Sequence, residues 1–183
     1  MKFCLDMDGP CSRFVHSALR ALDLDHKIDN YPEGATNLNE ITSLPYPEMY
    51  AKIDPLGSSF WRNLEETPSF WKLYEGLSEL GEVSFCTSPS LDSNSSKGKV
   101  EWIQDRFGKN FRNYIITNRK YFCADPNTIL IDDTAEMCDQ FIAHGGIAIK
   151  YPTRLNGLEH VCSEEDRAEY VLDLARRIIK SKK

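Results

Sequence analysis

Lys2-Phe3-Cys4-Leu5-Asp6-Met7-Asp8-Gly9-Pro10 is a short apolar run that ends in two carboxylates one residue apart and is then turned by Gly-Pro. It reads as a buried strand with a reactive tip. In an open parallel sheet, ligands bind outside the carboxyl ends of the strands, so an acidic pair at such a tip stands where reactive groups are placed. Two crowded carboxylates repel each other, and a hard cation, a shared proton or exposure to water relieves them. A cation is the reading we favour. A lone D-x-D also reads as a solvated acidic turn, so the decision falls to the rest of the chain.

Outward from this stretch the texture alternates. Val83-Ser84-Phe85-Cys86 reads as a buried strand running into Thr87-Ser88-Pro89-Ser90. Tyr114-Ile115-Ile116 runs into Thr117-Asn118-Arg119-Lys120, and Thr128-Ile129-Leu130-Ile131 into Asp132-Asp133, with Ile147-Ala148-Ile149 as a further strand. Helical spacing predicts helices from Ser12 to about Leu24, from Thr67-Pro68 to Gly81 with Trp71 in the core, and from Lys99 to about Phe107. Another carries Met137, Phe141 and Ile142 and stops at Gly145-Gly146. A last one opens at Ser163-Glu164-Glu165-Asp166 and reaches about Lys180. Strands alternating with helices predict an α/β fold, a Rossmannoid parallel sheet with right-handed crossovers and helices on both faces. Four tips, Asp6 with Asp8, Thr87 with Ser88, Lys120, and Asp132 with Asp133, then share one edge of that sheet.

Two stretches break the alternation. Residues 25–66 are polar and proline-interrupted yet include Tyr31, Tyr46, Met49, Tyr50, Phe60 and Trp61, so they read as a small, mainly helical insert between core segments 1–24 and 67–183. Leu91 to Gly98 is serine-rich and reads as a mobile loop.

The composition, 41% apolar and 27% charged over 183 residues, is that of a globular domain with a sizeable core. A net charge of −6 gives no general footprint for nucleic acid or an anionic membrane. No run approaches a membrane span, and Met1 leads almost directly into the first strand; the expectation is a cytoplasmic protein without a leader peptide. The six cysteines form no C-x-x-C pair and read as reduced, mostly buried small hydrophobes rather than zinc ligands or disulfides. The four histidines show no metal-binding spacing. From Thr87 to Lys120 the sign reverses locally, with seven basic residues against three acidic ones, which suits a small anionic substrate.

Acidic groups on two tips can hold one Mg²⁺ without enclosing it. Aspartate is a covalent nucleophile for phosphoryl groups, and a hydroxyl and a lysine on neighbouring tips can bind phosphoryl oxygens. In motif order, Asp6-Met7-Asp8-Gly9, Thr87 or Ser88, Lys120 and Asp132-Asp133, the sequence resembles the haloacid-dehalogenase (HAD) phosphatase superfamily. Within it the chain is most similar to the 5′(3′)-deoxyribonucleotidases. Cys86-Thr87-Ser88-Pro89, Lys99-x-x-Trp102 with Phe107-Gly108, Leu130-Ile131-Asp132-Asp133 and the pair Phe60-Trp61 carry that likeness.

The resemblance implies a nucleophile at Asp6 and a general acid and base at Asp8. It implies Mg²⁺ held by the Asp6 carboxylate, the Asp8 carbonyl and Asp133, with Asp132 nearby. Thr87, Ser88 and Lys120, assisted by Lys99, would bind the phosphoryl group. The insert would be a cap, in which Phe60 and Trp61 pack against sugar or base. The implied partner is a small phosphorylated substrate, a deoxynucleoside monophosphate, with no membrane or stable nucleic-acid partner; a homodimer is left open. Pro10 and Cys11 depart from the family's small aliphatic residues, Thr134 stands in place of its usual arginine, and the insert does not yield base-recognising residues.

Other readings are a phosphatase for a sugar phosphate or a polynucleotide 3′-phosphate, and a non-catalytic module binding a phosphorylated ligand. A receiver-type phosphoacceptor fits less well, since it places its acceptor aspartate after the third strand and its lysine after the fifth.

Overall fold

The computed structural model describes residues 1–32 and 35–182. In chain order the elements are β1 (Lys2–Leu5), α1 (Phe14–Ala21), α2 (Leu38–Thr42), α3 (Tyr46–Ile53), α4 (Gly57–Arg62), α5 (Phe70–Leu80), β2 (Glu82–Thr87), α6 (Ser93–Phe107), β3 (Tyr114–Ile116), β4 (Thr128–Asp132), α7 (Ala135–Ala143), β5 (Ile147–Lys150) and α8 (Arg167–Ser181). Short 3₁₀ turns intervene, among them Lys120–Cys123. The chain divides into two compact units: 1–12, 66–88 and 113–183 in the first, 13–65 and 89–112 in the second.

The first unit is built on a five-stranded sheet in the order β3-β2-β1-β4-β5, parallel throughout. Its central strands are apolar on both sides because both sides are covered. Leu5 lies beside Phe85 and Ile131, and on that face Phe85 meets Phe70 of α5, whose apolar stripe is Phe70, Leu73 and Leu77. Helix α8 packs on α5, burying Ala168, Val171, Leu172 and Ala175. On the other face Cys4, Cys86 and Leu130 pack with Phe141 and Met137 of α7. All strands point the same way, so their carboxyl ends share one edge.

Two boundaries and one core assignment differ from the sequence expectation, each for a local reason. Helix α5 begins at Phe70 rather than Thr67. The Thr67 hydroxyl donates to the Pro10 carbonyl at 2.8 Å and its N–H to the Cys11 carbonyl at 2.9 Å, which ties this segment to the loop after β1. The Ser163 hydroxyl accepts from the Asp166 N–H and donates to the Asp166 carboxylate, one half of a capping box, but the pair closes a turn one residue before α8 starts at Arg167. Trp71 is not core. It stands beside the Phe70 stripe rather than on it, is 40% exposed, and donates from Nε1 to Glu66 at 3.0 Å.

In the second unit the serine-rich stretch is helical, not a loop. Asp92 caps α6 by accepting from the Asn94 N–H at 3.0 Å, and Ser95 and Gly98 are buried. A β-carbon at Gly98 would lie 2.3 Å from the Ser58 carbonyl and 2.6 Å from Trp61 Cβ, so small residues there let α6 close on α4. Trp102 is buried and donates to the Leu64 carbonyl at 2.8 Å. Trp61 is 2% exposed and stacks on Phe14 with ring centroids 5.2 Å apart. The described part of 25–65 contains α2 to α4, in one unit with α1 and α6.

Candidate active site

At the tip of β1, Asp6 is buried, and its N–H donates to the Ile131 carbonyl at 2.9 Å, which fixes the tip against β4. The chain then folds back on itself: the N–H groups of Cys11 and Ser12 both reach the Met7 carbonyl, and Gly9 donates to the Ser12 carbonyl. This loop needs Gly9, whose φ of +93° L side chains seldom adopt. A β-carbon there would also fall 2.4 Å from Asp133 Oδ2. Asp8 is half-buried, and its Oδ1 accepts from the Ser12 hydroxyl at 3.0 Å.

Lys120, just past the end of β3, is 2% exposed, and its ammonium lies 2.7 Å from Asp6 Oδ1 and 2.6 Å from Asp132 Oδ2. The two carboxylates hold it charged against the cost of burial, and they push its pKa above the usual lysine range. Its neighbour Arg119 is exposed, so the sequence choice between the two basic residues falls on Lys120. Asp132 is fully buried, and its other oxygen, Oδ1, accepts from the Thr134 N–H at 2.8 Å as α7 begins.

Asp133 follows, anchored through its carbonyl by Asn156 Nδ2 at 2.9 Å. Burial first, then the charges of Asp132 and Asp6, push its carboxyl well above the ordinary range. Thr87 is buried at the end of β2, and Ser88 donates its hydroxyl to the Thr117 carbonyl at 3.4 Å.

Asp6, Asp132 and Asp133 each place a carboxylate oxygen within 4.8 Å of the other two. Three carboxylates against one ammonium leave a negative surplus. A carboxyl group whose ionised form is disfavoured beside them is one that a hard cation would relieve. The donor set is all oxygen, and it fits Mg²⁺.

Asp6, Asp8, Thr87, Ser88, Lys120, Asp132 and Asp133 thus all belong to the first unit, at or just past strand ends. Lys99, Phe60 and Trp61 belong to the second. There the buried Lys99 places its ammonium 5.2 Å from the Trp61 ring centroid, and Trp61 is a packed core ring. Phe60 lines a cavity of about 360 Å³ with Ser17, Arg20, Asn63 and Glu65.

Sequence reasoning missed the supporting residues Ser12, Thr67 and Asn156. Asn156 carried a signal in its Asn-Gly turn, where it reaches back to the Asp133 and Tyr151 carbonyls. Ser12 and Thr67 carried none.

No family model and no curated protein matches the chain. Among solved structures it is similar to a hydrolase from Pseudomonas syringae, with 13% identity and a TM-score of 0.51 over 92% of this chain and 90% of that one. It is also similar to a phosphonoacetaldehyde hydrolase-like protein from Oleispira antarctica, with 10% identity and a TM-score of 0.50 over 95% and 84%. At these identities the likeness is one of fold, and the fold is the HAD-like Rossmannoid α/β fold.

Proposed function

We propose that the chain is a Mg²⁺-dependent phosphatase that hydrolyses the phosphomonoester of (deoxy)nucleoside monophosphates through an aspartyl-phosphate on Asp6. The observation that carries the reaction class is the Lys120 ammonium bridging Asp6 and Asp132 beyond the carboxyl edge of the sheet. The substrate rests on the sequence resemblance.

In this reading a carboxylate oxygen of Asp6 bonds to phosphorus as the ester bond breaks. The Asp8 carboxylic acid gives its proton to the departing oxygen. Asp8, now a carboxylate, takes a proton from water, whose oxygen displaces Asp6 and releases phosphate. Lys120 keeps Asp6 in one orientation and, with Thr87 and Ser88, offsets the charge of the phosphoryl oxygens. Asp6, Asp133 and the Asp8 carbonyl would hold Mg²⁺, which when bound neutralises phosphoryl charge; Asp132 positions Lys120.

Phosphate release is measured from 5′- and 3′-(deoxy)ribonucleotides, sugar phosphates and a 3′-phosphorylated oligonucleotide, with Mg²⁺ and with chelator. Turnover is expected on deoxynucleoside monophosphates, lost with chelator and lowered on the order of 10⁴-fold or more in Asp6→Asn. Turnover only on other phosphomonoesters would keep the chemistry and overturn the substrate. No turnover on any would overturn the reading.

A further inference from the structure

A second cluster lies on the same stretches of chain as the candidate site. Cys4 lies two residues before Asp6, Cys86 directly before Thr87, and Cys123 three residues after Lys120. Cys4 pairs in register with Ser84, and strand alternation puts Cys86 on the same face as both. Cys123 joins them from the 3₁₀ turn. The three sulfurs lie within 4.8 Å of one another, and all three are free thiols. Leu130, Phe141, Met137 and Ala148 pack around them.

We propose that Cys4, Cys86 and Cys123 form a binding site for one soft d¹⁰ cation of the Zn²⁺ or Cu⁺ kind, held by three thiolates. Metal–sulfur bonds of about 2.3 Å place sulfurs roughly 3.8–4.0 Å apart in tetrahedral or trigonal geometry, so the cluster closes on an ion with little movement. Soft thiolates select such ions over Mg²⁺, which the oxygen donors of Asp6 and Asp133 suit. An entry path exists: a cavity of about 550 Å³ is lined by Cys4, Cys123 and Phe122 together with Glu82, Asp125 and Lys2, the last two ion-paired at 3.9 Å. Water in that cavity can supply a fourth ligand. Each thiol gives up its proton on binding, three protons leave per ion, and nothing is oxidised or reduced. The bound ion ties β1, β2 and the turn that carries Lys120 into one unit just behind the tips.

The test is a titration of the reduced full-length protein with Cd²⁺ in the presence of Mg²⁺, read by the sulfur-to-cadmium charge-transfer band, which carboxylates do not produce. The band is expected to saturate at one equivalent and to accompany a rise in Tm of roughly 5–10 °C at a hundredfold excess over Kd. It is expected to persist in Asp6→Asn and Cys162→Ser and to disappear in Cys123→Ser, or in Cys123→Ala where the serine variant does not fold. No band in the wild type, or an equal band in the Cys123 variants, overturns the proposal.

Discussion

Asp6, Asp132 and Asp133 form one triad and Cys4, Cys86 and Cys123 another, and the two are fixed by different physics. The carboxylates are organised by charge. Lys120 sits between two of them, and Ser12 Oγ, the Thr134 N–H and Asn156 Nδ2 fix the backbone and side chains around them. The thiols are organised by packing, among Leu130, Phe141 and Met137, and need no counter-charge while they keep their protons. Burial holds the Cys123 thiol above its usual value, and a hydrogen bond with Cys4 together with burial does the same for Cys86. A strand can therefore carry a hard oxygen site at its tip and a soft sulfur site a residue or two behind it. The first becomes a liability when its counter-ion is removed, and the second does not.

The sharpest break in that contrast is Lys120→Met, which keeps the length of the side chain and removes its charge. Asp6 and Asp132 then face each other without the ammonium, and breaking a buried pair of this kind costs about 3–5 kcal/mol. Urea unfolding at neutral pH is expected to show that loss. A loss below about 1 kcal/mol would mean that charge does not organise this triad. Gly9→Ala perturbs the same triad sterically. It forces a β-carbon into a backbone at φ +93° and against Asp133. The expected cost is about 1–3 kcal/mol, with the Mg²⁺-induced rise in Tm lost and the cadmium band at the thiols retained.

The contrast also marks what could be read in advance. The tips were legible because strand polarity needs only an apolar run and a polar stop, and because five such runs alternate with helices. That logic put Asp6, Asp132 and Lys120 on one edge without any tertiary information. The thiols were read as separate small hydrophobes, since Cys4, Cys86 and Cys123 share no local spacing and converge only through sheet register. Helix α6 was hidden for the opposite reason. Ser93, Ser95 and Ser96 look like a loop to local propensity, whereas the buried Ser95 and Gly98, the latter against Ser58, show small residues at a close helix contact. Trp71 misled because an aromatic next to a true stripe residue, Phe70, satisfies composition but not helical phase.

Asp133 gives the finest test, since its charge is at once a burden and a ligand. Burial and the neighbouring carboxylates raise its folded pKa well above the ordinary value of about 3.9. Between those two values the folded protein binds the more protons, so stability falls as pH rises through that window, and the deficit persists above it. Asp133→Asn removes the titration. Without Mg²⁺ the variant is expected to melt roughly 2–4 °C higher than wild type at about pH 8, with the gap closing toward pH 4, where both side chains are neutral. Adding Mg²⁺ is expected to reverse the order at pH 8, because only the wild type gains a cation for its third carboxylate. Thermal melts of the two proteins across pH, with and without Mg²⁺, decide it. A variant that is less stable than wild type at every pH in the absence of Mg²⁺ would mean that hydrogen bonding, not charge, governs this position. The carboxylate triad would then resemble the thiol triad in being held by contacts alone.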